Sequence, residues 1–209
     1  DPAESETETG HLLSRPVLLR LFFRSLREPN FRNYLVGRIL ATFGFSVLPF
    51  IIIYYQSGQG GGLDYGQVIS FSAVSWIAQS ATAIVVGRMG DRRGHRLGAL
   101  LGASMPVVTL LVLILSHGPG GCIAAYVGTG ICLGAVGLSH YNLLIETCPH
   151  DSYAAHITVA NLVMMPATLL APLLAGLLVE WTGIMIMFKV SLTVSVVALL
   201  WLILRFKEP

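Results

Sequence analysis

Charge is scarce in this 209-residue chain, which holds 13 Lys and Arg and 11 Asp and Glu, or 11% of its residues, against a hydrophobic fraction of 54%. Water-soluble domains carry roughly a quarter of their residues as charges, so a solvated globule is excluded. The net charge of +2 is small and scattered, which argues against a nucleic-acid partner. Cys122, Cys132 and Cys148 lie in or beside one apolar stretch without the paired spacing of a metal site. They are expected to be small buried hydrophobes, and no metal or other cofactor is expected. Residues 1–10 are acidic and polar, without the basic flank and apolar core of a secretory leader, and disorder is expected there.

The distribution of the charges is more informative than their number. Six apolar stretches, 34–55, 67–86, 97–116, 122–145, 155–179 and 184–204, hold 132 residues and two formal charges, Arg38 and Lys189; the other 77 residues hold 22. About 20 helical residues cross the ~30 Å hydrocarbon core of a bilayer, and every stretch is at least that long. The expected fold is an all-α membrane protein with six transmembrane helices in one bundle. Residues 31–209 form that domain. Residues 11–30 precede it, with Leu12, Leu13, Val17, Leu18, Leu21, Phe22 and Leu26 interleaved with Arg15, Arg20, Arg24 and Arg27. This mixture predicts an amphipathic helix on an anionic membrane face.

Lys and Arg also set the orientation. The segment before the first span, the 88–96 connection and the C-terminal tail carry eleven of them; the connections 56–66, 117–121 and 180–183 carry none. Both ends are therefore expected on the cytoplasmic side, in the plasma (inner) membrane. The Gly-rich 56–66 connection is expected to reposition freely, and the 88–96 connection reads as a basic loop.

That connection carries the strongest local pattern, Gly87-Arg88-Met89-Gly90-Asp91-Arg92-Arg93-Gly94-His95-Arg96. Gly87 and Gly90 allow close helix approach, and Gly94 permits the turn into the third span. Asp91 can accept hydrogen bonds from a neighbouring helix N-terminus or pair with an arginine. Arg92 and Arg96 hold the segment at the anionic leaflet. The segment resembles the G-x-x-x-D-R/K-x-G-R/K-R/K motif of the major facilitator superfamily, with His95 in place of one basic residue. Asn30 to Leu35 with Arg38 and Pro49-Phe50, and a fifth span bearing Pro166, Pro172 and Gly176, are similar to the same family. In one departure, the sequence after Pro149 reads His150-Asp151-Ser152-Tyr153, where the family often has an arginine.

The resemblance implies a transporter working by alternating access, built from two six-helix halves, of which this chain looks like the C-terminal one. Its partners would then be a small solute, the lipid bilayer, and either an N-terminal six-helix half or a second copy. It also implies that Gly87, Gly90, Asp91, Arg92, Gly94 and Arg96 act in gating. By the same resemblance, the first, second, fourth and fifth helices face the cavity, with the third and sixth more peripheral.

Polar residues inside a membrane are costly and mark functional positions. Arg38, Gln79, Tyr126, His140, Asn142 and Asn161 are the cavity candidates on that ground. Gly128, Gly130, Gly134 and Gly137 are expected to serve helix packing. An enzyme is not expected: Ser139 and His140 are adjacent and point to different faces, and no HExxH zinc motif occurs. A channel would need a polar filter inside the membrane, and the Gly58–Gly62 run lies outside it. A non-transporting adaptor or relic is the remaining alternative.

Overall fold

The structure, a computed structural model, describes residues 25–147 and 153–206. The 1–10 and most of the 11–30 expectations, and the departure after Pro149 up to Ser152, lie outside the described residues. Among the described residues the main helices follow in order: α1 (Pro29–Gly44), α2 (Leu48–Gln56), α3 (Tyr65–Arg93), α4 (Arg96–Leu115), α5 (Gly118–Thr147), α6 (Tyr153–Thr182) and α7 (Ile184–Arg205). Helices α1 and α2 together make the first crossing, so six units are long and apolar enough to span a bilayer. In lipid no water satisfies backbone N–H and C=O groups, and helices meet that demand within one segment.

The first apolar stretch is not one continuous helix. Pro49 has no N–H to donate to the carbonyl four residues back, and the chain breaks at Phe45–Val47. Tighter bonds cover the break: Ser46 N–H and Oγ both donate to the Phe43 carbonyl, at 3.4 and 2.8 Å, and Phe50 N–H donates to Val47 at 2.9 Å. Gly44 admits this region against the α7 backbone at Ser195.

The 88–96 segment is also different from the loop its composition suggests. Nothing before Gly94 interrupts helix geometry, so α3 continues through Arg93, and only Gly94 and His95 separate it from α4. Gly94 has φ +78°, a region that favours glycine, and its N–H closes the helix on Gly90 at 2.9 Å. At its other end α3 begins with a capping box: Asp64 accepts from Gly66 N–H at 2.8 Å, and Gln67 Oε1 accepts from Asp64 N–H at 3.3 Å.

The Gly-rich 56–66 connection is pinned, contrary to the free segment its composition suggests. Gly60 and Gly62 N–H both return to the Ser57 carbonyl, Leu63 N–H to Tyr55, and Gly118 N–H reaches across to Gly60 at 2.8 Å.

Helix α5 is the centre of the bundle, packed against α3 on one side and α4 on another, while α1 packs on α7 and α6. Glycines make the closest approaches. A Cβ at Gly130 would meet the Ser75 carbonyl and Ala78, and one at Gly134 the Gln79 carbonyl and Thr82. Gly128 lies against Thr109, Gly98 against Ser139, and Gly102 against Val136. Gly137, expected in the same role, is exposed with nothing within 4 Å of its added Cβ. Two apolar clusters close the ends. Ile51, Tyr54, Tyr55, Leu110, Cys122 and Phe188 pack at the end with the glycine connection. Phe31, Tyr34, Leu35, Leu143, Leu202 and Phe206 pack at the basic end.

Because dispersion contacts rather than water exclusion hold helices together in lipid, filling such a contact is expected to be costly. Gly130→Val should destabilise the purified domain by about 1–3 kcal/mol, as overpacking does. Gly137→Ala should leave the thermal transition in detergent unchanged. Equal effects of the two substitutions would contradict the packing described.

Candidate functional site

A cavity of about 400 Å³ opens beside the α1–α2 break. It is walled by α1 and α2 (Arg38 to Pro49), α4 (Gly102, Pro106), α5 (Cys132 to Val136) and α6 (Met164 to Pro172). It lies where the break at Phe45–Val47 interrupts the first crossing. The third span thus contributes wall residues, whereas α3, the second span, contributes none.

Arg38 is the one charged residue of this lining. It is half-buried, its Nε is fully buried, and its guanidinium makes no hydrogen bond or ion pair among the described residues. The lining's other donors are occupied locally. Thr42 Oγ1 donates to the Arg38 carbonyl at 2.9 Å, Ser46 Oγ to Phe43 at 2.8 Å and Thr168 Oγ1 to Met164 at 2.9 Å. The Cys132 thiol donates to the Gly102 carbonyl at 3.3 Å.

Arg38 also borders a smaller gap shared with Tyr34, Ser139 and His140. There the Tyr34 hydroxyl and His140 Nδ1 share a buried hydrogen bond of 2.8 Å, with the rings stacked at 5.8 Å between centroids. The tautomer of the imidazole decides which of them donates. The bond satisfies both of these buried groups where α1 meets α5. Nearby, His156 Nε2 of α6 lies 3.5 Å from Glu28 Oε2, and its ring stands edge-on to Phe31 at 5.0 Å.

Of the six cavity candidates, then, Arg38 lines the cavity beside the α1–α2 break, and Arg38 and His140 meet at the smaller gap. The other four lie outside both linings. Gln79 is half-buried, its carbonyl abutting Gly134. Tyr126 is buried in the cluster with Tyr54, Tyr55 and Cys122, at the far end from His140. Asn142 is half-buried and Asn161 exposed. Thr42, Ser46 and Thr168 escaped notice in the sequence, although they satisfy the same intramembrane-polarity criterion. Small hydroxyls are easily passed over because they bond their own helix.

In the 87–96 segment Gly90 is buried against the His95 imidazole, which occupies the space a Cβ would take. Gly87 is close to Leu138, 3.2 Å from an added Cβ. Asp91 and Arg92 are exposed at the end of α3, while Gly94 and Arg96 are half-buried. Asp91 is thus presented outward from the helices of its own domain.

Six membrane-length helical units, four of which wall an intramembrane cavity, define a polytopic helical membrane protein. The chain belongs to the Major Facilitator Superfamily, whose model matches residues 34–209. It is 28% identical over 138 residues to an uncharacterised MFS-type transporter of Mycobacterium tuberculosis, covering 66% of this chain and 24% of the relative. It is 31% identical over 140 residues to the tetracenomycin C resistance and export protein of Streptomyces glaucescens, covering 62% of this chain and 25% of that protein. The chain thus spans about a quarter of the length of these curated relatives.

The Tyr34–His140 bond predicts a measurable coupling. Tyr34→Phe and His140→Phe, singly and together, should give an interaction energy of about 0.5–1.5 kcal/mol in a double-mutant cycle of detergent unfolding. Additive effects would show that the two side chains do not interact.

Proposed function

We propose that the chain is the C-terminal six-helix half of a secondary transporter that carries a small solute across the membrane by alternating access. A second six-helix half, or a second copy, completes the solute cavity and faces this one. The observation that carries the reading is the intramembrane cavity walled by helices from several crossings, in a chain of this family. The exposure of α3 and α6, the least covered of the spans, supports a partner on those sides.

Asp91 and its flanking glycines and arginines act as the gate. The outward-facing carboxylate engages a helix end or an arginine of the opposing half in one state and releases it in the other. The Lys and Arg distribution supports a cytoplasmic position for Asp91, Arg92 and Arg96. One relative is named for resistance and export, so outward carriage of an organic compound is the direction to test first.

The test is reconstitution in liposomes of this chain alone, of the chain with an N-terminal half, and of both with Asp91→Asn. Saturable transport that requires the second half and falls at least tenfold with Asp91→Asn is expected. Transport by this chain alone as a dimer would assign a half-size transporter; no transport in any combination would support the adaptor reading.

Orientation is checked separately in a background with the native cysteines replaced. Gly58→Cys, at an open position, should react with an impermeant maleimide from outside the cell, and Arg92→Cys only after the membrane is opened. The reverse pattern would invert the topology.

A further inference from the structure

We propose that the cavity bounded by α1, α2, α4, α5 and α6 takes an organic anion with an apolar body, its anionic group held by Arg38. This rests on the transport reading and adds the chemical class of the solute.

The cavity is chemically one-sided. Phe45, Leu48, Leu133, Val136 and Met164 offer apolar wall, and Arg38 is the one formal charge. Thr42, Ser46, Thr168 and Cys132 have already committed their protons to backbone carbonyls, as the distances above show. The guanidinium is therefore the donor left for a guest, and its fork of N–H groups matches a carboxylate or sulfonate.

Its charge also needs a counter-ion. No Asp or Glu occurs in any of the six apolar stretches, so within those stretches no carboxylate stands at Arg38's depth. Glu28, ten residues earlier, is about 15 Å away along a helix rise. A guanidinium with a buried Nε and no partner among the described residues is poorly compensated in a medium of low dielectric, and a bound anion relieves that. The cavity volume of about 400 Å³ lies within the range that encloses a drug-sized ligand.

The test uses the complete transporter and one ring system in three charge states: 2-naphthoate, 2-naphthalenemethanol and 2-naphthylmethylamine. Equilibrium dialysis in detergent should show the acid binding at least tenfold more tightly than the alcohol, and the amine most weakly. Arg38→Gln should abolish the difference between acid and alcohol, and Arg38→Lys should keep part of it. Equal binding of acid and alcohol by the native protein, or a preference that survives Arg38→Gln, would overturn the proposal.

If Arg38→Gln fails to fold, Thr168→Cys with Arg38 intact provides a second readout. Naphthoate should slow its alkylation by N-ethylmaleimide and the alcohol at the same concentration should not; equal protection by both counts against the proposal. A lipid phosphate is the competing anion of the same chemistry. In nanodiscs, naphthoate binding unaffected by phosphatidylglycerol supports a soluble solute, whereas loss in phosphatidylglycerol but not phosphatidylcholine assigns the site to lipid and overturns it. Transport without anion preference would overturn this inference alone. Anion binding without transport of any solute would instead overturn the transport reading.

Discussion

Contact of side chains with bare backbone along α5 is the constraint on which the bundle depends. Two helices in lipid gain nothing from expelling water, so they adhere only by fitting closely. Gly130 and Gly134 accept the α3 backbone, Gly128 accepts Thr109 of α4, and Gly98 and Gly102 of α4 accept α5 in return. Because α5 is gripped on two faces, its remaining side can be left to the cavity, and Cys132 to Val136 reach it. The same economy operates between α1 and α7, where Gly37 and Gly44 receive Leu202 and Ser195.

Arg38 and His140 show how this fold tolerates polarity. His140 is resolved within the domain, since the Tyr34 hydroxyl meets its Nδ1. Arg38 is not, since its guanidinium finds no such partner among the described residues. A satisfied pair thus joins α1 to α5 beside a cation that borders both the cavity and the smaller gap.

Much of this was legible in the chain. The six apolar stretches each became a membrane-length helical unit, because hydrocarbon thickness and helix rise together leave little freedom. The glycine–aspartate segment was legible as a family resemblance, and the family match over residues 34–209 agrees with it. Helix ends were less readable. Composition marked 88–96 as a loop because it is charged, yet charge does not end a helix, and α3 runs on to the glycine whose positive φ does. The break in the first crossing was missed because Pro49 was weighed as a family feature rather than as a missing donor. Among the cavity candidates, Arg38 and His140 border gaps within the domain and the other four do not, because which side of a helix faces a gap depends on tertiary packing rather than on depth. Gln79 and Tyr126 were at suitable depths and on other faces.

The short connection between α3 and α4 has a mechanical consequence. A stiff rod 29 residues long meets the next rod through two residues, with the His95 ring wedged against Gly90. Such a joint has almost no slack, so a tilt of the first rod must be passed to the second or taken up at Gly94. The pair is therefore built as a crank rather than a tether: a displacement of the Asp91 end of α3 would be passed on to α4, whose Gly102 and Pro106 form part of the cavity wall.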